Sequence, residues 1–154
     1  MTNLAYPEQK KIKLLRPDTL WSYESLFRKQ DVQSVRDVVA YLDANQLQAY
    51  LFGSVLNNAD ESYFDIDMAG VGARARAFAV ARNLSRGIVR MGRHSYFVEE
   101  CDENYPELHA ETRVTVFPMQ NFFSRLFRRK ASIDLSILTE ENFERMQREK
   151  LRFY

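Results

Sequence analysis

Leu51-Phe52-Gly53-Ser54, followed after ten residues by Asp65-Ile66-Asp67, is where the chemistry of this chain is concentrated. From Phe64 to Met68 the residues alternate. As a strand, Phe64, Ile66 and Met68 face a core, and Asp65 and Asp67 share the opposite face, two rises of roughly 3.3 Å apart. Carboxylates at that spacing can bracket divalent cations, which take hard oxygen ligands. Without a cation the pair repels itself and lifts one pKa. The plainer reading is a half-buried strand with two solvated acids. Gly53-Ser54 weighs against it, because it follows an alternating run, Leu47 to Phe52. A glycine there lets backbone approach a ligand, and N–H groups at such a turn can hold phosphate.

Far along the chain, Ile133, Leu135 and Ile137 alternate with Asp134 and Ser136, which puts a third carboxylate in mid-strand. With this third acid the residues resemble a family, the nucleotidyltransferases with the polymerase-beta-like fold. Its motif is a hydrophobic residue, Gly-Ser or Gly-Gly, a spacer of about ten residues, D-x-D or D-x-E on a strand, and a later-strand Asp. Phe52-Gly53-Ser54, Asp65, Asp67 and Asp134 match it. The small size and the terminal helix after Asp134 look most like the minimal nucleotidyltransferases. The resemblance implies an α+β fold with a mixed β-sheet flanked by helices. Asp134 stands 67 positions after Asp67, a spacing closer to larger members with extra strands, so an inserted hairpin is expected before the last strand.

The resemblance also implies an activity: transfer of a nucleoside monophosphate from a nucleoside triphosphate, ATP by expectation, to an acceptor hydroxyl. Asp65, Asp67 and Asp134 would be the catalytic and metal-binding residues, with Mg²⁺ or Mn²⁺ as cofactor. Gly53 and Ser54 would contact the nucleotide's phosphates. Members often carry Arg or Lys after Gly-Ser, where this chain has Val55; Arg74 or Arg76, just beyond the D-x-D strand, would then supply the phosphate charge. The alternative is a binding module that keeps the fold without the chemistry, such as the antitoxin partner of a helical HEPN-type toxin. Transfer to a small molecule such as an aminoglycoside is a third option, disfavoured because those enzymes usually add a helical domain.

The chain of 154 residues, 45% hydrophobic and 28% charged, suits one globular core. We divide it into an N-terminal arm and helix (1–30) and a nucleotidyltransferase domain (31–154). Net charge near +1 gives no global argument for nucleic acid or membrane. Charge is locally uneven: residues 73–98 carry six arginines and no acid, and 99–112 carry six acids and no base. An exposed helix and an acidic loop account for this; a partner or a second copy of the chain on the arginine face fits too. Cys101 is the lone cysteine, and His94 and His109 are the two histidines, which argues against a Cys/His metal cage. The N-terminus shows no long apolar run, so the expectation is a cytoplasmic protein without signal peptide or membrane span.

In order, 11–15 is a candidate edge strand, and Pro17-Asp18-Thr19 opens a short helix with Trp21 packed. Residues 31–45 read as an amphipathic helix capped by Asp31, with Val32, Val35, Val38, Val39 and Leu42 at helical spacing. Gly70-Val71-Gly72 reads as a reversal after the D-x-D strand, and 73–86 as a helix stopped by Gly87. Residues 88–98 and 112–117 look extended, with the acidic loop between them. Residues 121–130 read as a short amphipathic helix, or as an aromatic and basic patch that could meet nucleic acid. Thr139 caps a last helix, with Glu140 and Glu141 in its first turn and Phe143 and Met146 facing inward.

Overall fold

The computed structural model describes residues 12–57, 63–84, 87–101, 110–119 and 130–148. Its strands are β1 (Lys13–Leu15), β2 (Gln48–Phe52), β3 (Asp65–Gly72), β4 (Ile88–Met91), β5 (His94–Glu100), β6 (Thr112–Pro118) and β7 (Ser132–Thr139). The α-helices are α1 (Lys29–Ala44), α2 (Arg74–Leu84) and α3 (Glu140–Arg148), and short 3₁₀ segments span Leu20–Leu26 and Ser54–Asn57. The fold is α+β, built on one seven-stranded sheet of order β1-β2-β3-β7-β6-β5-β4. β3 and β7 are parallel, and every other pair is antiparallel, so the sheet is mixed.

Parallel neighbours cannot be joined by a tight turn. The chain between β3 and β7 therefore makes a long excursion through α2 and the three strands β4, β5 and β6. The hairpin expected around the acidic loop corresponds to β5 and β6, which pair antiparallel on either side of it; the single extended segment expected over 88–98 instead turns at Gly92-Arg93 into the antiparallel pair β4 and β5, so the excursion holds one strand more than expected. Residues 102–109, most of the expected acidic loop, and 120–129, nearly all of the expected basic and aromatic helix, lie outside the described residues.

The two faces of the sheet carry different covers. Val35, Val38, Val39 and Leu42 of α1 and Ala77, Val80 and Leu84 of α2 pack with Ile66, Met68, Ile133 and Leu135 in the larger core. Each side chain of this size contributes roughly 1.5–3 kcal/mol when fully buried, which is why the 3.6-residue stripe fixes the docking of α1. On the opposite face Phe143 and Met146 of α3 pack with Phe52, Ala69, Val71 and Leu138. The Thr139 hydroxyl accepts the Asn142 N–H at 3.2 Å, so Thr139 does cap α3. No helix among the described residues is long and apolar enough to cross a membrane.

Several local expectations are corrected. Gly70-Val71-Gly72 is no reversal: all three lie in β3 paired with β7, and Gly70 and Val71 pair with β2 as well. A Cβ on Gly70 would stand 2.7 Å from Leu42 Cδ2, and one on Gly72 2.5 Å from Leu47 Cδ2, so these glycines admit α1 and its exit against the strand. Phe64 does not face the core; it is 88% exposed at the bend before β3. Trp21 is 73% exposed, not packed. Asp31 does not cap α1, whose N-cap is Arg28; it is wholly buried in the first turn. Finally, the described part of the N-terminal arm is integral to the domain. β1 is an edge strand on β2, and Leu15, Leu20 and Phe27 belong to the main core.

Candidate active site

The register of the central parallel pair builds the site. Asp65 pairs with Ser132, Ile66 with Ile133, and Asp67 with Asp134. Because side chains alternate across a strand, the Ile pair enters the core and the two Asp residues stand side by side on the opposite face. α3 covers that face over the later residues of β3 and β7, leaving the Asp-bearing starts open: Asp65 is exposed, and Asp67 and Asp134 are half-buried.

Polar partners from neighbouring strands hold two of the three carboxylates. The Ser132 hydroxyl donates to Asp65 Oδ1 at 2.7 Å. The Thr115 hydroxyl, on β6 opposite Asp134, donates to Asp134 Oδ1 at 3.1 Å and lies 3.2 Å from Cys101 Sγ. The lone cysteine thus sits at the edge of the site.

Asp67 carries the strain of the cluster. Its carboxyl is pushed up from 3.8 to about 7, first by burial, then by the like charges of Asp134 and Asp65. Arg113 pulls in the opposite direction. The mutual repulsion expected of crowded carboxylates is thus present, and burial is the largest single cause beside it. Among the described residues no three Asp, Glu, His or Cys side chains form a ready-made ligand group. The core of the arrangement is the Asp67–Asp134 pair, with Asp65 one position along the same face.

Gly53 completes the geometry. It takes φ +84°, and a Cβ there would stand 2.3 Å from Asp67 Oδ2. Glycine is therefore required twice over: for the left-handed backbone and for the close approach of the Phe52–Ser54 turn to the carboxylate. Ser54 is exposed at the start of the 3₁₀ turn, whereas Val55 is fully buried in the main core. A cationic side chain at position 55 would enter that core, which is the physical reason this chain carries Val there.

Arg74 and Arg76 are not brought to the carboxylates. They follow the far end of β3, about 16 Å of strand beyond Asp67, on the helix that packs against the other face. Arg74 lies over the Phe78 ring at 5.9 Å instead. Among the described residues, the arginine that does reach the site electrostatically is Arg113 of β6, paired with Ser136 and on the same face as Thr115. Its alternation with Thr115 in the run from Arg113 to Phe117 was visible in the sequence, but its neighbour β7 was not. No family model matches the chain, nor does any curated protein or solved structure.

Proposed function

We propose that the chain is a divalent-metal-dependent nucleotidyltransferase of the polymerase-beta-like kind, moving a nucleoside monophosphate from a nucleoside triphosphate, with ATP the expected donor, to an acceptor hydroxyl. The observation that carries this reading is the in-register Asp67–Asp134 pair beside Gly53, with Asp65 on the same face. The residues fit a hard cation: oxygen donors predominate, and burial together with the like charges of Asp134 and Asp65 raises the Asp67 carboxyl, a crowding that a bound cation would relieve.

Asp65, Asp67 and Asp134 would hold Mg²⁺ or Mn²⁺. When bound, such ions neutralise triphosphate charge and acidify a coordinated hydroxyl. The chain's own groups do the rest by positioning. The Gly53-Ser54 backbone, free of a Cβ, approaches phosphate oxygens closely. Asp134, fixed by Thr115, orients the acceptor hydroxyl and takes its proton as the acceptor oxygen bonds to the α-phosphorus. The bond to pyrophosphate breaks, and Arg113 offsets negative charge at the face. Incubation with α-labelled triphosphates, Mg²⁺ and a cell extract tests this. Label should pass to protein, RNA or a small molecule with wild-type chain and not with Asp67→Asn. No labelled product with any of the four triphosphates contradicts it.

One observation favours a second reading, a nucleotidyltransferase-like module that covers a helical HEPN-type partner without catalysis. Val55 is core and Arg74 and Arg76 are remote, so two expected sources of triphosphate charge are missing from the site. Calorimetry with Mg²⁺ and each triphosphate separates the two, because the binding module should give no heat of nucleotide binding.

A further inference from the structure

Beneath the carboxylate face lies a second polar network, built around one wholly buried acid. Asp31, in the first turn of α1, has no exposed surface. Its Oδ1 accepts the backbone N–H of Ala131 at 2.7 Å, across 100 positions of sequence. Its Oδ2 accepts the Tyr63 hydroxyl at 2.5 Å and Arg28 Nε at 3.2 Å. Arg28 also grips Tyr63 independently. Its backbone N–H donates to the Tyr63 hydroxyl at 2.7 Å, its Nη2 donates to the Tyr63 carbonyl at 2.8 Å, and its guanidinium stacks 4.2 Å from the ring centroid.

The positions of the two clamped residues are informative. Tyr63 lies two residues before Asp65, and Ala131 lies three before Asp134. β3 and β7 begin at Asp65 and Ser132, which are register partners. A slip of one residue between these strands would turn Asp134 into the core and Ile133 out beside Asp67. A buried carboxylate is expensive to keep unless its partners repay the desolvation, and an apolar cluster of the same size often serves stability as well. A carboxylate that ties the starts of both acid-bearing strands to one helix turn does something an apolar cluster cannot: it fixes their relative register through directional bonds.

We propose that Asp31 is a positioning residue, which through Tyr63 and Ala131 locks the parallel register that sets Asp67 beside Asp134 for cation binding. This rests on the function proposed above. The test uses the full chain as wild type, Asp31→Asn and Tyr63→Phe. Circular dichroism establishes folding. Amide hydrogen exchange then reports the starts of β3 and β7, and Mn²⁺ titration followed by electron paramagnetic resonance reports cation affinity. Both variants should exchange faster at 63–67 and 131–135 while β1, β2, β4 and β5 keep wild-type protection. Mn²⁺ affinity should fall roughly tenfold, the scale of lost outer-shell support. A purely structural role would loosen the sheet as a whole and leave the Mn²⁺ affinity of the folded fraction unchanged, which overturns the proposal. Wild-type chain that binds no Mn²⁺ sinks the metal-dependent function instead. Exchange then decides the clamp alone, and protection unchanged at both strand starts overturns it. Should Asp31→Asn fail to fold, Tyr63→Phe carries both readouts.

Discussion

Asp67→Asn should make the metal-free protein more stable while removing the proposed nucleotidyl transfer. The folded chain holds the Asp67 proton up to about pH 7, whereas an ordinary carboxyl releases it near 3.8. Between those values the native state binds more protons than the unfolded chain, so the contribution of this group to stability falls as pH rises through the window and is smallest above pH 7. At about 1.4 kcal/mol per pH unit, the displacement corresponds to an upper figure of roughly 4 kcal/mol. Water reaching a half-buried carboxylate screens part of that, leaving roughly 2–4 kcal/mol of destabilisation above pH 7. Asparagine keeps the shape and removes the charge. Urea unfolding with a chelator present, at pH 8 and at pH 5, measures it. The variant should be the more stable at pH 8, and its advantage should shrink to less than half at pH 5, where native Asp67 is protonated. An Asn variant less stable than wild type at pH 8, or a difference independent of pH, would refute the electrostatic argument.

Three further outcomes follow from the same geometry. Gly53→Ala must relieve both φ +84° and a 2.3 Å approach to Asp67 Oδ2; a loss of roughly 1–3 kcal/mol in urea unfolding is expected, in line with forced backbone strain. Arg113→Gln removes a positive charge that lowers the Asp67 pKa; ¹³C NMR titration of the Asp67 carboxyl should show its midpoint moving upward, and a downward shift would place Arg113 elsewhere. Thr139→Ala deletes the side-chain cap of α3 and should reduce stability by about 1 kcal/mol without altering the Asp67 titration.

Local patterns made much of this legible before the coordinates. Alternation placed β2, β3 and β7, the β-branched run Val114-Thr115-Val116 placed β6, and the helical stripe of Val35, Val38, Val39 and Leu42 placed α1 and its buried side. The pairing of strands was not written locally. Nothing near Asp67 says that its neighbour is Asp134, since that contact depends on a crossover through three further strands; the motif resemblance supplied it. For the same reason Arg113 was missed and Arg74 and Arg76 were expected in its place. Gly70 and Gly72 show a second limit: glycine marks a turn or a close approach, and only the docked Leu42 and Leu47 decide between them. Asp31 shows a third. An acid at the start of a helix suggests a cap, whereas its partners, Tyr63 and Ala131, come from distant segments.

The central claim is that the Asp67–Asp134 pair forms a cation site serving a triphosphate. Calorimetric titration of the metal-free chain with ATP, with and without Mg²⁺, addresses it most directly when Asp134→Asn is run beside the wild type. The account predicts Mg²⁺-dependent ATP binding by the wild type and its loss in the folded variant. Equal binding by both proteins, or ATP binding indifferent to Mg²⁺, would contradict it.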